Sequence, residues 1–194
     1  MCGIVGYVGN KSAIDTIING LKRLEYRGYD SAGVALVDDD LFVNKKSGKI
    51  SNLEQSLCDG SHGDIKRYHT GIGHTRWATH GVPSDLNAHP HMDCHNEIAV
   101  VHNGIIENFA AIKKMLMEKG HRIISDTDTE VIAHLIEYHY EQNGDLLDAV
   151  MKAIANLEGT YGLCIVSKRE PGRIIAARNG SPLILGAGDG EMIV

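Results

Sequence analysis

The order of elements in this 194-residue sequence predicts an α+β fold, two mainly antiparallel sheets packed face to face with helices outside them. Three observations carry that expectation. Short apolar runs are separated by turn-forming segments such as Asp38-Asp39-Asp40, Glu170-Pro171-Gly172 and Asn179-Gly180-Ser181-Pro182. Helical periods arrive in pairs between runs of hairpin-linked strands. Strict strand–helix–strand alternation is missing, which argues against a doubly wound parallel sheet.

Taken in order, residues 3–8 read as a short buried strand ending at Gly9-Asn10. Ser12, with Asp15 three residues on, is positioned to cap a helix whose apolar face is Ile14, Ile17, Ile18, Leu21 and Leu24, and which ends before Gly28. Residues 32–37 and 41–45 form a hairpin, 51–57 a short helix, 58–63 a loop and 70–74 a strand. Residues 76–93 show no period and are rich in Gly, Pro, Asn and His. A loop of that length inside a compact domain is often functional. Residues 97–102 are a strand broken by Asn103-Gly104. Asn108 caps a helix with Phe109, Ile112, Met115 and Leu116 inward and Gly120 as its stop. Residues 122–125 read as a strand. Thr127 and Glu130 then form a capping box for a helix carrying Val131, Ile132, Leu135 and Ile136, which ends at Asn143-Gly144. Asp145 starts a helix through Leu157. Residues 160–194 divide into four short strands spaced like an antiparallel meander.

Composition bounds the function. Hydrophobic content is 43% and charged content 23%, ordinary for a globular domain, and no linker-like stretch divides residues 1–194, so one domain is expected. The net charge is −6 and the 19 basic residues are scattered, leaving no nucleic-acid or membrane patch. No apolar run approaches a spanning length and only Met1 precedes Cys2, so neither a signal peptide nor a membrane anchor is expected. The four cysteines, Cys2, Cys58, Cys94 and Cys164, form no CxxC, which suits reduced thiols and a cytoplasmic location.

Four polar clusters fall in loops or at strand ends: 27–31, 74–80, Asn103-Gly104 and 126–128. With Met1 removed, Cys2 would carry a thiol and a free α-amine on one residue. An α-amine with a pKa of about 7.7–8.0 is partly neutral at pH 7 and can take the thiol proton, as in threonine nucleophiles activated by their own amine. A cysteine attacking an amide needs an oxyanion hole. Asn103 offers a side-chain N–H, and Gly104 a backbone N–H that no side chain obstructs. An α-amino-acid substrate needs a cation and an anion, and Arg76 and Asp128 supply them. Taken singly, each residue also has a structural reading: an Asn-Gly turn, an Asp cap, a surface Arg, a core Trp77. A rival constellation is metal binding, since His74, His80, His89, His91, Cys94, His95 and His102 crowd one region. It lacks HExxH and paired CxxC spacing, so no metal and no cofactor are expected.

In order, the chain carries Cys2-Gly3-Ile4-Val5-Gly6, Arg27-Gly28-Tyr29-Asp30-Ser31-Ala32-Gly33, His74-Thr75-Arg76-Trp77-Ala78-Thr79-His80-Gly81, Asn87-Ala88-His89-Pro90-His91, His102-Asn103-Gly104-Ile105-Ile106-Glu107-Asn108 and Thr127-Asp128-Thr129-Glu130. Over essentially its whole length it resembles the glutaminase domains of the isomerizing glutamine–fructose-6-phosphate aminotransferases (glucosamine-6-phosphate synthases), which belong to the N-terminal-nucleophile (Ntn), class II glutamine amidotransferases. Cys-Gly-Ile and Asn-Gly mark only the broad superfamily, whereas residues 27–33 and 74–81 point to the hexosamine members.

The resemblance implies a four-layer αββα sandwich. It implies that Cys2 attacks the side-chain amide of L-glutamine, that ammonia leaves, and that water hydrolyses a γ-glutamyl thioester. Arg76, Thr79 and His80 are implied to hold the substrate carboxylate side, Asp128 the ammonium with help from Gly104, and Trp77 a covering loop. Arg27 is implied to support the nucleophile, and His89 to act from behind the site and toward a neighbouring domain. In the full enzyme the ammonia reaches fructose 6-phosphate in sugar-isomerase domains, making glucosamine 6-phosphate for amino-sugar synthesis, and the full enzyme is implied to be a homo-oligomer. The chain stops at Val194, earlier than such glutaminase domains end and without the sugar-isomerase part, so amination is not expected of it alone. Two alternatives are a purine-pathway amidotransferase, whose partner domain binds phosphoribosyl pyrophosphate, and a histidine-rich metal-binding or regulatory module.

Overall fold

The computed structural model describes residues 2–59 and 62–194. The expected loop at 58–63 therefore lies partly outside the described residues, as does Met1. The described strands are β1 (Gly3–Gly9), β2 (Ser31–Val37), β3 (Leu41–Ser47), β4 (Thr70–Arg76), β5 (His91–Met92), β6 (Ile98–Ile106), β7 (Gly159–Ser167), β8 (Ile175–Asn179), β9 (Gly186–Gly188) and β10 (Glu191–Ile193). The helices are α1 (Ala13–Leu24), α2 (Ile50–Leu57), α3 (Phe109–Glu118), α4 (Glu130–Asn143) and α5 (Leu146–Ile154). Among the described residues one sheet has the order β3-β2-β4-β1-β10-β9 and the other β5-β6-β7-β8, every neighbouring pair antiparallel.

Alternation along the strands builds the layers. Because successive side chains point to opposite faces, Val34 and Leu36 pack outward with Val5, Tyr7, Ile17, Leu21 and Leu53, against α1 and α2. Their neighbours Ala35 and Val37 face inward, meeting Ile72, Ala99, Val101, Cys164 and Val166 between the sheets. On the second sheet Val100, Leu163 and Ile165 face α3, α4 and α5 through Ile112, Leu116, Ile132, Leu135, Val150 and Ala153. The result is four layers, helix–sheet–sheet–helix. Helix α4 lies between α3 and α5 and is buried from Glu130 through Glu137.

Several details depart from the sequence expectations. Strand β4 runs on through Arg76, and the following loop contains the two-residue β5. Asn103-Gly104 does not break its strand: β6 continues to Ile106, with Asn103 opposite Gly162 and Gly104 opposite Tyr161 on β7. Residues 122–125 are not a strand, because the amides of Ile124 and Ser125 donate to the Glu130 carboxylate instead of to a neighbouring chain. The box is thus half as expected: Thr127 Oγ1 accepts from the Glu130 amide, while the carboxylate reaches further back than Thr127. Ser12 precedes α1, but its hydroxyl makes no capping bond. The last four strands are not one meander. β7 and β8 extend the second sheet, whereas β10 crosses to the first and pairs with β1, where Val194 exchanges both backbone bonds with Gly6.

Candidate active site

The two sheets meet at a cleft of about 850 Å³ beside the start of β1. Cys2, Arg27, Arg76, Trp77, Thr79, His89, Asn103, Gly104 and Asp128 all line it. They come from the start of β1, the turn after α1, the end of β4 and the loop between β4 and β5, the second half of β6, and the segment leading into α4.

Cys2 stands at the head of β1 opposite the end of β4. The Trp77 amide donates to its Sγ at 3.2 Å. Burial raises the thiol above its ordinary pKa, while the Trp77 N–H and the Arg76 charge pull it down and Asp30 pushes it up. Asp30 in turn accepts from the Ala78 amide and the Ser31 hydroxyl, and its own amide donates to the Arg76 carbonyl, which fixes the chain on both sides of Trp77.

The amide of Asn103 is oriented from behind. His74 Nε2 lies 2.8 Å from Asn103 Oδ1. Burial depresses His74 to a pKa of about 3, so the ring is neutral, and because Oδ1 can only accept, the one ring proton of this contact is on Nε2, which donates to it. The NH2 end of the amide is then the end turned away from His74. Beside it, Gly104 has φ of +146°, and a Cβ there would stand 2.0 Å from the Thr160 carbonyl oxygen. Only glycine fits this position.

Arg76 is 3% exposed. One nitrogen, Nη2, donates to the carbonyls of His80 and Gly81. The other, Nη1, is buried with no hydrogen-bond partner among the described residues. Burial lowers the guanidinium's pKa, and Asp30, Cys2 and Asp128 offset the loss. An unpaired buried guanidinium nitrogen costs free energy until an anion meets it. Asp128 is also buried, and its Oδ2 accepts from the Ile106 amide at 2.9 Å, tying the segment before α4 to the end of β6.

Of the two residues implied to flank Arg76, Thr79 lies in the cleft. The side chain of His80 does not line it: the ring meets Phe109 edge-on at 5.4 Å, and His80 contributes its carbonyl to Arg76. Trp77 is 54% exposed, with its ring over Gly28, where a Cβ would come within 2.9 Å of it. His89 Nε2 and His102 Nδ1 bond the same hydroxyl, Thr129 Oγ1, at 2.8 and 3.0 Å.

Sequence reasoning missed several contributors. His74 enters the sequence reading only through the rival metal-binding constellation, and Asp30 only inside a quoted motif. Thr129 orients two histidines and lines the cleft. Ser181, whose hydroxyl donates to the Asn103 carbonyl at 3.2 Å, lines it with Pro182 and Leu183, and no local pattern marks that turn as part of a site.

Residues 74–194 match a family model described as a glutamine amidotransferase domain. The whole chain aligns with the protein of Thermotoga maritima named glutamine--fructose-6-phosphate aminotransferase [isomerizing], at 54% identity over 198 residues. The same-named protein of Clostridium acetobutylicum is 55% identical over 196 residues, again across the whole chain. This chain spans 31% of the length of either relative. Among solved structures, the glutamine phosphoribosylpyrophosphate amidotransferase from B. subtilis superposes with a TM-score of 0.78 at 26% identity, covering 100% of this chain and 41% of that one. With its layers matched by that structure and its residues from β4 onward matched by the family model, this chain belongs to the glutamine amidotransferase domain family.

Proposed function

We propose that this chain, residues 1–194, is the glutaminase domain of an isomerizing glutamine–fructose-6-phosphate aminotransferase. After removal of Met1, the Cys2 α-amine takes the thiol proton and Sγ attacks the side-chain amide carbon of L-glutamine. The oxyanion is held by the Asn103 NH2 and the Gly104 N–H. The C–N bond then breaks, the proton leaves with ammonia, and water hydrolyses the γ-glutamyl thioester to glutamate, restoring the thiol. Arg76 receives the substrate α-carboxylate on its Nη1, and Asp128 the α-ammonium. Trp77 and Thr79 wall the bound glutamine, His80 holds Arg76 through its carbonyl, and Arg27 and His89 support the walls.

The observation that carries this reading is the juxtaposition of a buried, half-satisfied Arg76 and a buried Asp128 with Cys2 and an Asn103 amide whose orientation is set by His74. The acceptor is proposed on sequence. Identity to the fructose-6-phosphate relatives is 54–55%, against 26% to the phosphoribosylpyrophosphate enzyme. In the longer protein the released ammonia would convert fructose 6-phosphate to glucosamine 6-phosphate in a sugar-isomerase part, in a cytoplasmic homo-oligomer. Among the described residues no helix is long and apolar enough to cross a membrane. The test is glutamate release from glutamine by the Met1-free chain, by Cys2→Ala and by a chain extended at its N-terminus. Release by the first alone is expected. Equal release by Cys2→Ala removes the nucleophile, and release by the extended chain removes the amine as base.

A further inference from the structure

The histidine-rich stretch of the sequence does not stay together in the fold. His74, His89, His91 and His102 are buried near the cleft, while Cys94 lies further along α4, against His134. There it meets three residues distant in sequence: His121, after α3, and His134 and Glu137, one turn apart on α4. Cys94 Sγ lies 3.3 Å from His134 Nδ1 and 3.6 Å from His121 Nδ1. His121 Nδ1 is 3.4 Å from His134 Nδ1 and 2.9 Å from Glu137 Oε2. His134 Nδ1 is 3.3 Å from Glu137 Oε2.

Hydrogen bonding alone does not account for this cage. His134 Nδ1 has three neighbours within 3.4 Å and at most one proton to give them. A single cation at the centre satisfies all four atoms at once. Tetrahedral zinc with Zn–N of about 2.0–2.1 Å and Zn–S of about 2.3 Å sets its ligand atoms roughly 3.3–3.6 Å apart, the range of four of the five distances above, the His121–Glu137 contact being shorter. One thiolate, two imidazoles and one carboxylate form a zinc-type donor set, softer than a calcium or magnesium site.

The surroundings complete the site. Glu137 Oε1 is 2.7 Å from His95 Nδ1, and its Oε2 accepts from the Cys94 amide at 3.2 Å, so the carboxylate is aimed. The far nitrogen of His134, Nε2, is buried with no hydrogen-bond partner among the described residues, and Glu130 Oε1 is a carboxylate oxygen 3.6 Å from it. His134 and Glu137 are buried and His121 nearly so, while Cys94 is exposed and marks the way in.

We propose that Cys94, His121, His134 and Glu137 bind one zinc ion, separate from the Cys2 cleft, that ties the turn after β5 and the segment after α3 to helix α4. The site would steady the helix that begins directly after Asp128 and Thr129. It does not depend on the glutaminase reading.

The experiment is titration of chelator-treated chain with Co²⁺, read by absorption, followed by thermal melting with and without Zn²⁺. One equivalent of Co²⁺ should give a thiolate-to-cobalt band and intense tetrahedral ligand-field bands, which Zn²⁺ removes, and Zn²⁺ should raise Tm. Cys94→Ser, which changes an exposed thiol, should abolish the thiolate band. His121→Asn should weaken binding at least tenfold, and Cys2→Ala should leave both signals unchanged. The proposal is overturned if wild type shows no thiolate–cobalt band and no Zn²⁺-dependent Tm. It is equally overturned if the band survives in Cys94→Ser or vanishes in Cys2→Ala.

Discussion

Asn103 is the residue whose geometry says most about the chemistry. Its carbonyl oxygen is occupied by the His74 Nε2–H, so the amide presents its N–H donors to the cleft. A donor fixed in advance where charge will develop stabilises the transition state without having to reorganise. Asn103→Ala should therefore lower kcat for glutamine hydrolysis by roughly 10²–10³, equivalent to about 2.7–4 kcal/mol. An effect confined to KM would show instead that Asn103 only binds substrate. Cys2, Asn103, Gly104, Arg76 and Asp128 were all legible as candidates, because each side-chain type has a chemical task that few others can do. His74 and Asp30 were less so. They act on other residues, and the tautomer of a histidine or the aim of a carboxylate is a property of the packed state.

At the scale of elements, the sequence locates an element where periodicity and turn chemistry agree. The β2–β3 hairpin, α1, α2 and α3 fall where apolar spacing puts them, and Asp145 does cap α5, accepting from the Asp148 amide. The failures share a cause: a local signal outvoted by a distant partner. Asn103-Gly104 has the dipeptide of a tight turn, yet β7 holds it in the strand, and the glycine is needed there because a Cβ would strike Thr160. Residues 122–125 have strand-like apolar content, but the Glu130 carboxylate takes their amides. The partners of Cys94 were invisible for the same reason. His121 and His134 stand 27 and 40 positions away, with no metal-type spacing to Cys94.

At the scale of the molecule, the chain places a group of uncharged histidines between its layers. Burial holds His74 at about 3 and pushes His89 and His102 below the ordinary value of 6.5 as well. Unfolded, these rings take up protons as pH falls below about 6.5, and folded they do not. Stability from this group is thus complete above pH 6.5 and is lost as pH falls toward the folded values. The loss is at most about 1.4 kcal/mol per pH unit for each histidine. Urea unfolding at pH 7, 6 and 5 should show that decline, and His74→Asn should make it shallower. Stability that is flat from pH 7 to 5 would contradict the burial account. The two-sheet architecture was legible from the order of elements. The crossing of β10 to pair with β1 was not, since nothing within residues 186–194 distinguishes a strand of one sheet from a strand of the other.

In the proposed mechanism Cys2, as the first residue of the mature chain, forms a thioester with the γ-carboxyl of glutamine. The most direct test is acid-quenched mass spectrometry of the protein during turnover, with the adduct mapped by digestion. The account predicts a Met1-free chain carrying one γ-glutamyl group, located on Cys2. Glutamate production with the adduct on Cys58, Cys94 or Cys164, or with no adduct on a chain that still carries Met1, would contradict it.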